Sequence, residues 1–331
     1  MAKWQLLETV EGFYLSHIIY HLHHRKVLEH LTGKETVAEI AAQFGYDTAV
    51  LDVLLDFVYQ TTDILQRDRS KRYRLHSQYL PYYRSGFHLD KFIGAYGPAL
   101  THLEEVLCSS NLGDALVDEK MLAQAFTKVG TAGVSVSAHL IRERSITSLL
   151  DLGCGPATLL MELCLGDSTF KGWGVDGSAA MYAAATERIN AAGLANRIRI
   201  IHADVRQLET HFPPEMRNEI GALHGSSILN QFFRFGSAQA VSFVSNLKRL
   251  FPNHLLFIVD YYGKLSHVPA IPPRYRHTLI HDVAQAISAQ GVPPPDIHSW
   301  AMIYDAASCS LEQAYEGESD GIAWFVHIVR L

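Results

Sequence analysis

The chain has 331 residues, a net charge of -6, and 48% hydrophobic and 19% charged residues. That length suits two domains with a sizeable core, and the charge gives no general attraction to nucleic acid or anionic lipid. No run approaches the ~20 apolar residues that span a bilayer, so neither a membrane nor a nucleic acid is an expected partner.

The four cysteines, Cys108, Cys154, Cys164 and Cys309, show no Cys-x-x-Cys pair and no zinc-like spacing. Reduced thiols are the simplest reading. The segment Met1-Ala2-Lys3-Trp4-Gln5 lacks a signal-peptide apolar core, and the expected location is the cytoplasm.

Residues 6–31 carry apolar side chains at three- and four-residue steps, which predicts helix. His17 and His21 share a face there at i, i+4, but no carboxylate or cysteine accompanies them as a further ligand, so no metal site is expected. Thr36 and Glu39 form a capping box for a short helix. A second helix over 49–59 follows the turn Gly45-Tyr46-Asp47, and Ile64-Leu65-Gln66 with Tyr73-Arg74-Leu75 predicts a hairpin. This order is that of a winged helix-turn-helix. Its second helix carries Asp52 and Asp56 and no base, which would present carboxylates to phosphate. A DNA-binding, cofactor-sensing role is therefore the weaker reading of this module, beside pairing of two copies. The apolar faces expected to pair two copies include Ile18, Leu22, Leu54 and Val58.

Residues 80–107 hold aromatics at Tyr82, Tyr83, Phe87, Phe92 and Tyr96, broken by Gly94, Gly97 and Pro98, as a lid or packing segment would. The domain boundary is expected near 110, giving a helical domain over 1–110 and a second domain over 111–331. Residues 121–144 predict helix leading into the second domain's first strand.

That strand is Ser148-Leu149-Leu150-Asp151-Leu152, followed by Gly153-Cys154-Gly155-Pro156-Ala157 and a return to helical spacing. It reads as a buried parallel strand, a glycine turn and a helix start. Lys171-Gly172-Trp173-Gly174-Val175-Asp176 is a second strand ending in an acid, where nucleotide-binding folds place a ribose-binding carboxylate. Residues 198–205 form a third, ending in Ala203-Asp204-Val205. Three acids would then stand on one rim of a parallel sheet, the rim where ligands bind.

In these residues the chain resembles the class I S-adenosylmethionine-dependent methyltransferases. Asp151-Leu152-Gly153-Cys154-Gly155 matches their first motif, Val175-Asp176 the second and Ala203-Asp204-Val205 the third, with Ala157 at the third small position of the first motif. A nicotinamide-type domain fits less well, because the turn lacks Gly-x-Gly-x-x-Gly spacing and Ala-Asp-Val has no role there. The resemblance implies an α/β, Rossmann-like sheet with helices on both faces, preceded by the winged-helix domain, and S-adenosyl-L-methionine as cofactor. By the same resemblance the cofactor residues would be Asp151, Gly153, Gly155, Asp176, Gly177, Asp204 and Val205. Gly153 and Gly155 would pass the methionine part, Asp176 would take both ribose hydroxyls, and Asp204 would reach the adenine amino group.

A fourth strand over 220–229 ends in Asn230-Gln231-Phe232-Phe233, and a fifth, Leu255-Leu256-Phe257-Ile258-Val259-Asp260, in Asp260-Tyr261-Tyr262. Residues 275–289 predict a helix carrying His277, His281, Asp282 and Gln285, and residues 303–315 and 324–330 the closing antiparallel strands. In the O-methyltransferases of this resemblance a histidine base ends the fourth strand. Asn230 stands there instead, and it cannot take a proton at neutral pH. In iron-dependent C-methyltransferases, polar groups at this strand end join a later helical histidine, but amides are weak iron ligands. The catalytic candidates are Asn230, Gln231, His281 and Tyr261. The expected function is methyl transfer to a small organic acceptor, with cyclisation of the cofactor's own aminobutyrate chain, closed in by Tyr14, Tyr20 and Tyr96, as the alternative.

Overall fold

The computed structural model describes residues 6–80, 86–109, 111–128, 132–272, 275–319 and 322–331. Met1 to Gln5, Tyr82, Tyr83 and Pro273 lie outside the described residues. The chain divides into two compact units, Met1–Gly97 and Pro98–Leu331, so the expected boundary near 110 falls inside the second.

In the first unit, helices Leu6–His24, Val27–His30, Val37–Phe44 and Thr48–Thr61 precede an antiparallel hairpin of β1 (Leu65–Arg67) and β2 (Tyr73–Leu75). Local chemistry sets the helix starts. Thr36 and Glu39 form the capping box, with Thr36 N donating to Glu39 Oε2 at 2.7 Å and Glu39 N to Thr36 Oγ1 at 3.3 Å. Asp47 caps the next helix through Val50 N at 2.9 Å. Asp56 on that helix binds Arg67 of the hairpin, which removes one carboxylate from the helix's free face.

Of the four apolar residues expected at a dimer face, Leu54 is half-buried and the other three belong to this unit's own core. Leu22 and Val58 are buried in this unit's own core, and Ile18 packs against that core. The first helix instead exposes Leu6, Leu7, Val10, Phe13 and Tyr14. A 3.6-residue period marks an apolar face without saying what covers it. Residues Leu89–Ala95 form a π-helical segment in which Ala95 is buried, and Tyr96, just after it, is buried too.

The second unit contains β3 (Ser148–Leu152), β4 (Lys171–Asp176), β5 (Ile198–His202), β6 (Ala222–Ser226), β7 (Leu255–Tyr261), β8 (Ser310–Ser319) and β9 (Ile322–Arg330). They form a seven-stranded sheet in the order β5-β4-β3-β6-β7-β9-β8. Strands β3 to β7 pair in parallel and β8 and β9 are antiparallel. Alternation splits each strand between two cores. Leu150, Leu152 and Leu223 pack with Phe243, Leu247, Trp300 and Ile303 on one face. Leu149, Ala222 and Phe257 pack with Ile141, Leu160 and Ile189 on the other. Both faces are therefore covered by helices, as apolar parallel strands require.

Three expected spans differ. The fourth strand stops at Ser226, and residues 229–232 close into a 3-10 turn. Residues 303–306 complete the helix Ile297–Ala306 rather than a strand. The helix expected over 275–289 is Thr278–Ile287. Chain order runs outward from β3 through β4 to β5, then returns to β6 and β7, so the direction reverses between β3 and β6. A crevice at the carboxyl ends of the strands follows from that reversal.

At the antiparallel end, His327 on β9 is fully buried and joins Tyr304 and Tyr262. Tyr262 donates to Glu316 Oε1 at 2.5 Å, so its oxygen accepts from His327 Nε2 at 3.2 Å, and His327 Nδ1 accepts from the Tyr304 hydroxyl at 3.1 Å. Burial pulls the imidazole down to about 4 from an ordinary 6.5. The unfolded chain then binds this proton first, so stability is intact above pH 6.5 and falls as pH drops toward 4. The expected loss from this group is about 2–3 kcal/mol at pH 4.5. Denaturant titrations across this range should show it, and H327N, though weaker at pH 7, should decline less steeply. Parallel pH profiles for the two proteins would remove His327 as the cause.

Candidate active site

The site is built at the carboxyl ends of β3, β4, β6 and β7. After β3 the backbone turns back on β4, with Gly153 N and Cys154 N both donating to Val175 O, at 2.8 and 3.1 Å. Gly153 has φ +65°, and a Cβ there would lie 2.8 Å from Ile228 Cδ1. A side chain there is disfavoured by the backbone conformation and would push Ile228 aside. Gly155 has φ +52°, and among the described residues only Met181 Sδ would lie within 4 Å of a Cβ there, at 3.9 Å, leaving its outer side open to a ligand. Ala157 takes φ +59° at the start of helix Thr158–Gly166, so it adopts the glycine-like conformation that the motif's third position demands.

Asp176, at the end of β4, braces this turn. Its Oδ2 accepts from Gly155 N at 2.8 Å and its Oδ1 from Ser178 N at 2.9 Å. A carboxylate has roughly four acceptor positions, so each oxygen retains one for a further donor such as a hydroxyl. Burial pushes the Asp176 carboxyl above its ordinary range, the two N–H groups oppose that, and Asp151 and Glu119 add to the rise. Ser178 ties Glu119 to the same place through a 2.8 Å bond from its hydroxyl. This concentration of negative charge suits a cation.

Asp151, near the end of β3, is 3% exposed and faces the side covered by helices Ala132–Glu143, Thr158–Gly166 and Ala179–Ala191. Its register partner on β6 is His224, which donates from Nδ1 to Asp151 Oδ1 at 2.7 Å. Sequence reading missed His224. It sits inside an otherwise strand-like run, 73 residues from its partner, and only the parallel register of β3 and β6 joins them.

The third expected motif follows β5, the strand that pairs with β4. Asp204 caps a short turn through Arg206 N at 2.8 Å and pairs with Arg206 Nη1 at 3.0 Å. Val205 is buried and Gly177 exposed, with the Gly177 carbonyl 3.1 Å from His202 Nε2.

The catalytic candidates separate into two groups. Asn230 is fully buried. With its amide oriented to suit its neighbours, Nδ2 donates to Asp260 Oδ2 at 2.8 Å and Oδ1 at 3.2 Å, and its oxygen accepts from Gln285 Nε2 at 3.2 Å. The amide thus pins the turn after β6 to the end of β7 and to helix Thr278–Ile287. Gln231, one residue on, is exposed, because the 3-10 turn points successive side chains apart. Tyr261 and His281 meet, with ring centroids 5.5 Å apart. Asp282 beside them accepts from Lys264 N at 2.8 Å and Leu265 N at 2.9 Å. Burial pushes Asp282 up, while those N–H groups and the Tyr261 hydroxyl hold it back. Asn230, Tyr261 and His281 therefore belong to adjoining networks at the end of β7, and Gln231 stands apart. No group of three or more His, Cys, Asp or Glu side chains among the described residues could hold a metal ion.

Residues 149–218 match the family described as methyltransferase domain. The chain is 27% identical over 185 residues to 2-ketoarginine methyltransferase of Streptomyces arginensis, a match covering 52% of this chain and 51% of that protein. It thus spans about half the length of this relative. Among solved structures, mitomycin 7-O-methyltransferase superposes with a TM-score of 0.72 at 13% identity, over 98% of this chain and 97% of that one. Human N-acetylserotonin methyltransferase, in complex with S-adenosylmethionine, does so with a TM-score of 0.72 at 13% identity, over 100% and 99%. At such identity the structural likeness establishes the fold.

The two neighbouring amides should behave differently when truncated. Asn230→Ala removes partners from Asp260 and Gln285 in the interior and should cost about 2–4 kcal/mol of stability. Gln231→Ala should stay within about 0.5 kcal/mol of the parent. Urea unfolding of both variants checks this, and equal stabilities would refute the bracing role of Asn230.

Proposed function

We propose that this chain, which carries a class I S-adenosylmethionine-dependent methyltransferase domain of the small-molecule type, moves a methyl group to a small organic acceptor. The observation carrying this reading is the convergence of Asp151, Asp176 and the Gly153–Gly155 turn at the point where the sheet reverses. Their chemistry fits the cofactor: buried carboxylates for a cationic amino-acid end, Asp176 acceptor positions for a diol, and Gly155 for close backbone approach. Asp204 and Val205 would hold the base, with Gly177 beside the ribose. When bound, S-adenosylmethionine supplies an electrophilic methyl carbon on a charged sulfur.

This chain's own residues then bind, orient and keep water out. Proximity and alignment supply most of the acceleration in such a transfer. Asn230 holds the end of β6 against β7, so its contribution is to geometry rather than proton transfer. His281, half-buried against Tyr261 near the end of β7, accepts the acceptor's proton. The acceptor class we favour is a small 2-oxo acid, whose acidic carbon needs only a modest base. The name of the Streptomyces relative and the replacement of a strand-end histidine by Asn230 both support it. In the first unit, the exposed stripe of Leu6, Leu7, Val10, Phe13 and Tyr14 is our proposed contact for a homodimer.

Asp176→Ala should reduce S-adenosylmethionine affinity by roughly a hundredfold or more, because two charge-assisted bonds at about 1.5–3 kcal/mol each are lost. Calorimetry showing unchanged affinity would sink the cofactor assignment. Incubation of the wild type with S-adenosylmethionine and 2-oxo acids, followed by mass analysis, should yield adenosylhomocysteine and a product heavier by one methylene. Methylthioadenosine, formed without any acceptor, would point to cyclisation of the cofactor instead.

A further inference from the structure

We propose that His224 is a positioning residue of the cofactor site, holding the Asp151 carboxylate toward the ammonium of the S-adenosylmethionine amino-acid tail. The proposal rests on the cofactor reading of this site.

Three observations carry it. The first is place. Asp151 and His224 are register partners on β3 and β6, the two strands between which the chain reverses, so the pair lies under the crevice itself. Asp151 is also only two residues before Gly153, where the backbone turns.

The second is the imbalance of the Asp151 carboxylate. Among the described residues its side-chain hydrogen bonding is to His224 alone, through Oδ1. Asp176, by contrast, has a backbone N–H on each oxygen. A buried carboxylate left partly unmet is costly, and a cation placed against Oδ2 would meet it. An ammonium offers both the charge and the donors.

The third is the imidazole. His224 is 3% exposed, and its Nε2 is buried with no hydrogen-bond partner among the described residues. A carboxylate can only accept when ionised, so the proton of this bond is on Nδ1. The ring's polar work is thus done on the Asp151 side, through one short bond of 2.7 Å. Bonds of this kind fix the orientation of a ligand-bearing carboxylate, much as outer groups orient the ligands of metal sites. Without it the Asp151 side chain would have to be ordered by the arriving ligand.

The test compares three ligands by calorimetry on the wild type, His224→Leu and His224→Asn. S-adenosylmethionine and S-adenosylhomocysteine carry the ammonium, and methylthioadenosine lacks the whole amino-acid tail. His224→Leu should weaken the first two by roughly tenfold or more, the value of one charge-assisted bond, and methylthioadenosine by less than about threefold. His224→Asn, which keeps a donor in the place of Nδ1, should recover most of the loss. A uniform loss across all three ligands, or no loss, would overturn the proposal, since a merely structural role cannot single out the tail. If the leucine variant does not fold, His224→Gln replaces it. Its amide is one bond too far along to serve Asp151, so it should show the tail-specific loss that His224→Asn lacks, and equal binding by the two amides counts against the proposal. A wild type that binds none of the three ligands removes the cofactor reading and the proposal with it, whereas a wild type that binds all three without a tail-specific effect in the variants removes the proposal alone.

Discussion

Water is nearly excluded from four carboxylates around the crevice, those of Asp151, Asp176, Asp260 and Asp282. An ionised carboxyl taken out of water without donors costs several kcal/mol, and the local architecture follows from meeting that demand. Each acid is met from a different element: Asp151 by β6 through His224, Asp176 by the glycine turn and the start of helix Ala179–Ala191, Asp260 by Asn230, and Asp282 by the backbone after β7. Elements distant in sequence are thereby held to one another at their functional ends. Hydrophobic contact on the two faces of the sheet stabilises the body of the domain but does not set these positions to a fraction of an ångström.

The part of this arrangement that could be read from the sequence is the part that is local. Asp151 to Gly155, Asp176 and the capping box at Thr36 each consist of residues within a few positions of one another, and their backbone chemistry follows from residue type. The sheet was legible for a similar reason, since near-continuous apolar runs ending in acids suit a buried parallel strand and little else. What escaped depends on register or on facing. His224 acquires meaning only when β6 lies beside β3. Asn230 and Gln231 looked equivalent as neighbouring amides, yet a 3-10 turn buries one and exposes the other. Leu22 and Val58 have the spacing of a contact face, and that spacing is the same whether the contact is the unit's own core or a second copy.

Strand β7 connects two polar systems of different character. Its end supplies Asp260 and Tyr261 to the crevice, and the next residue, Tyr262, belongs to the chain of bonds through His327 and Tyr304. The first system is anionic and opens on a ligand surface. The second is directional and internal, with each hydroxyl and imidazole proton assigned by the one before it. Asp260 and Tyr261, which end β7, thus serve the crevice, while Tyr262, one residue beyond the strand, serves the interior chain of hydrogen bonds.

Cys154 and Gly174 bear on how this sequence is free to drift. The thiol of Cys154 fills the hollow left by the missing side chain of Gly174, and a Cβ at position 174 would stand 2.7 Å from Cys154 Sγ and 2.7 Å from Ile200 Cδ1. The sulfur is buried, its thiol pushed well up by burial and by the nearby Asp151 and Asp176, so it is a space-filling group rather than a nucleophile. Neither position tolerates enlargement by itself. Among descendants of such a chain, a bulkier residue on β4 and a smaller one in the turn should be inherited as a pair, leaving a signature of steric covariation beneath the motif.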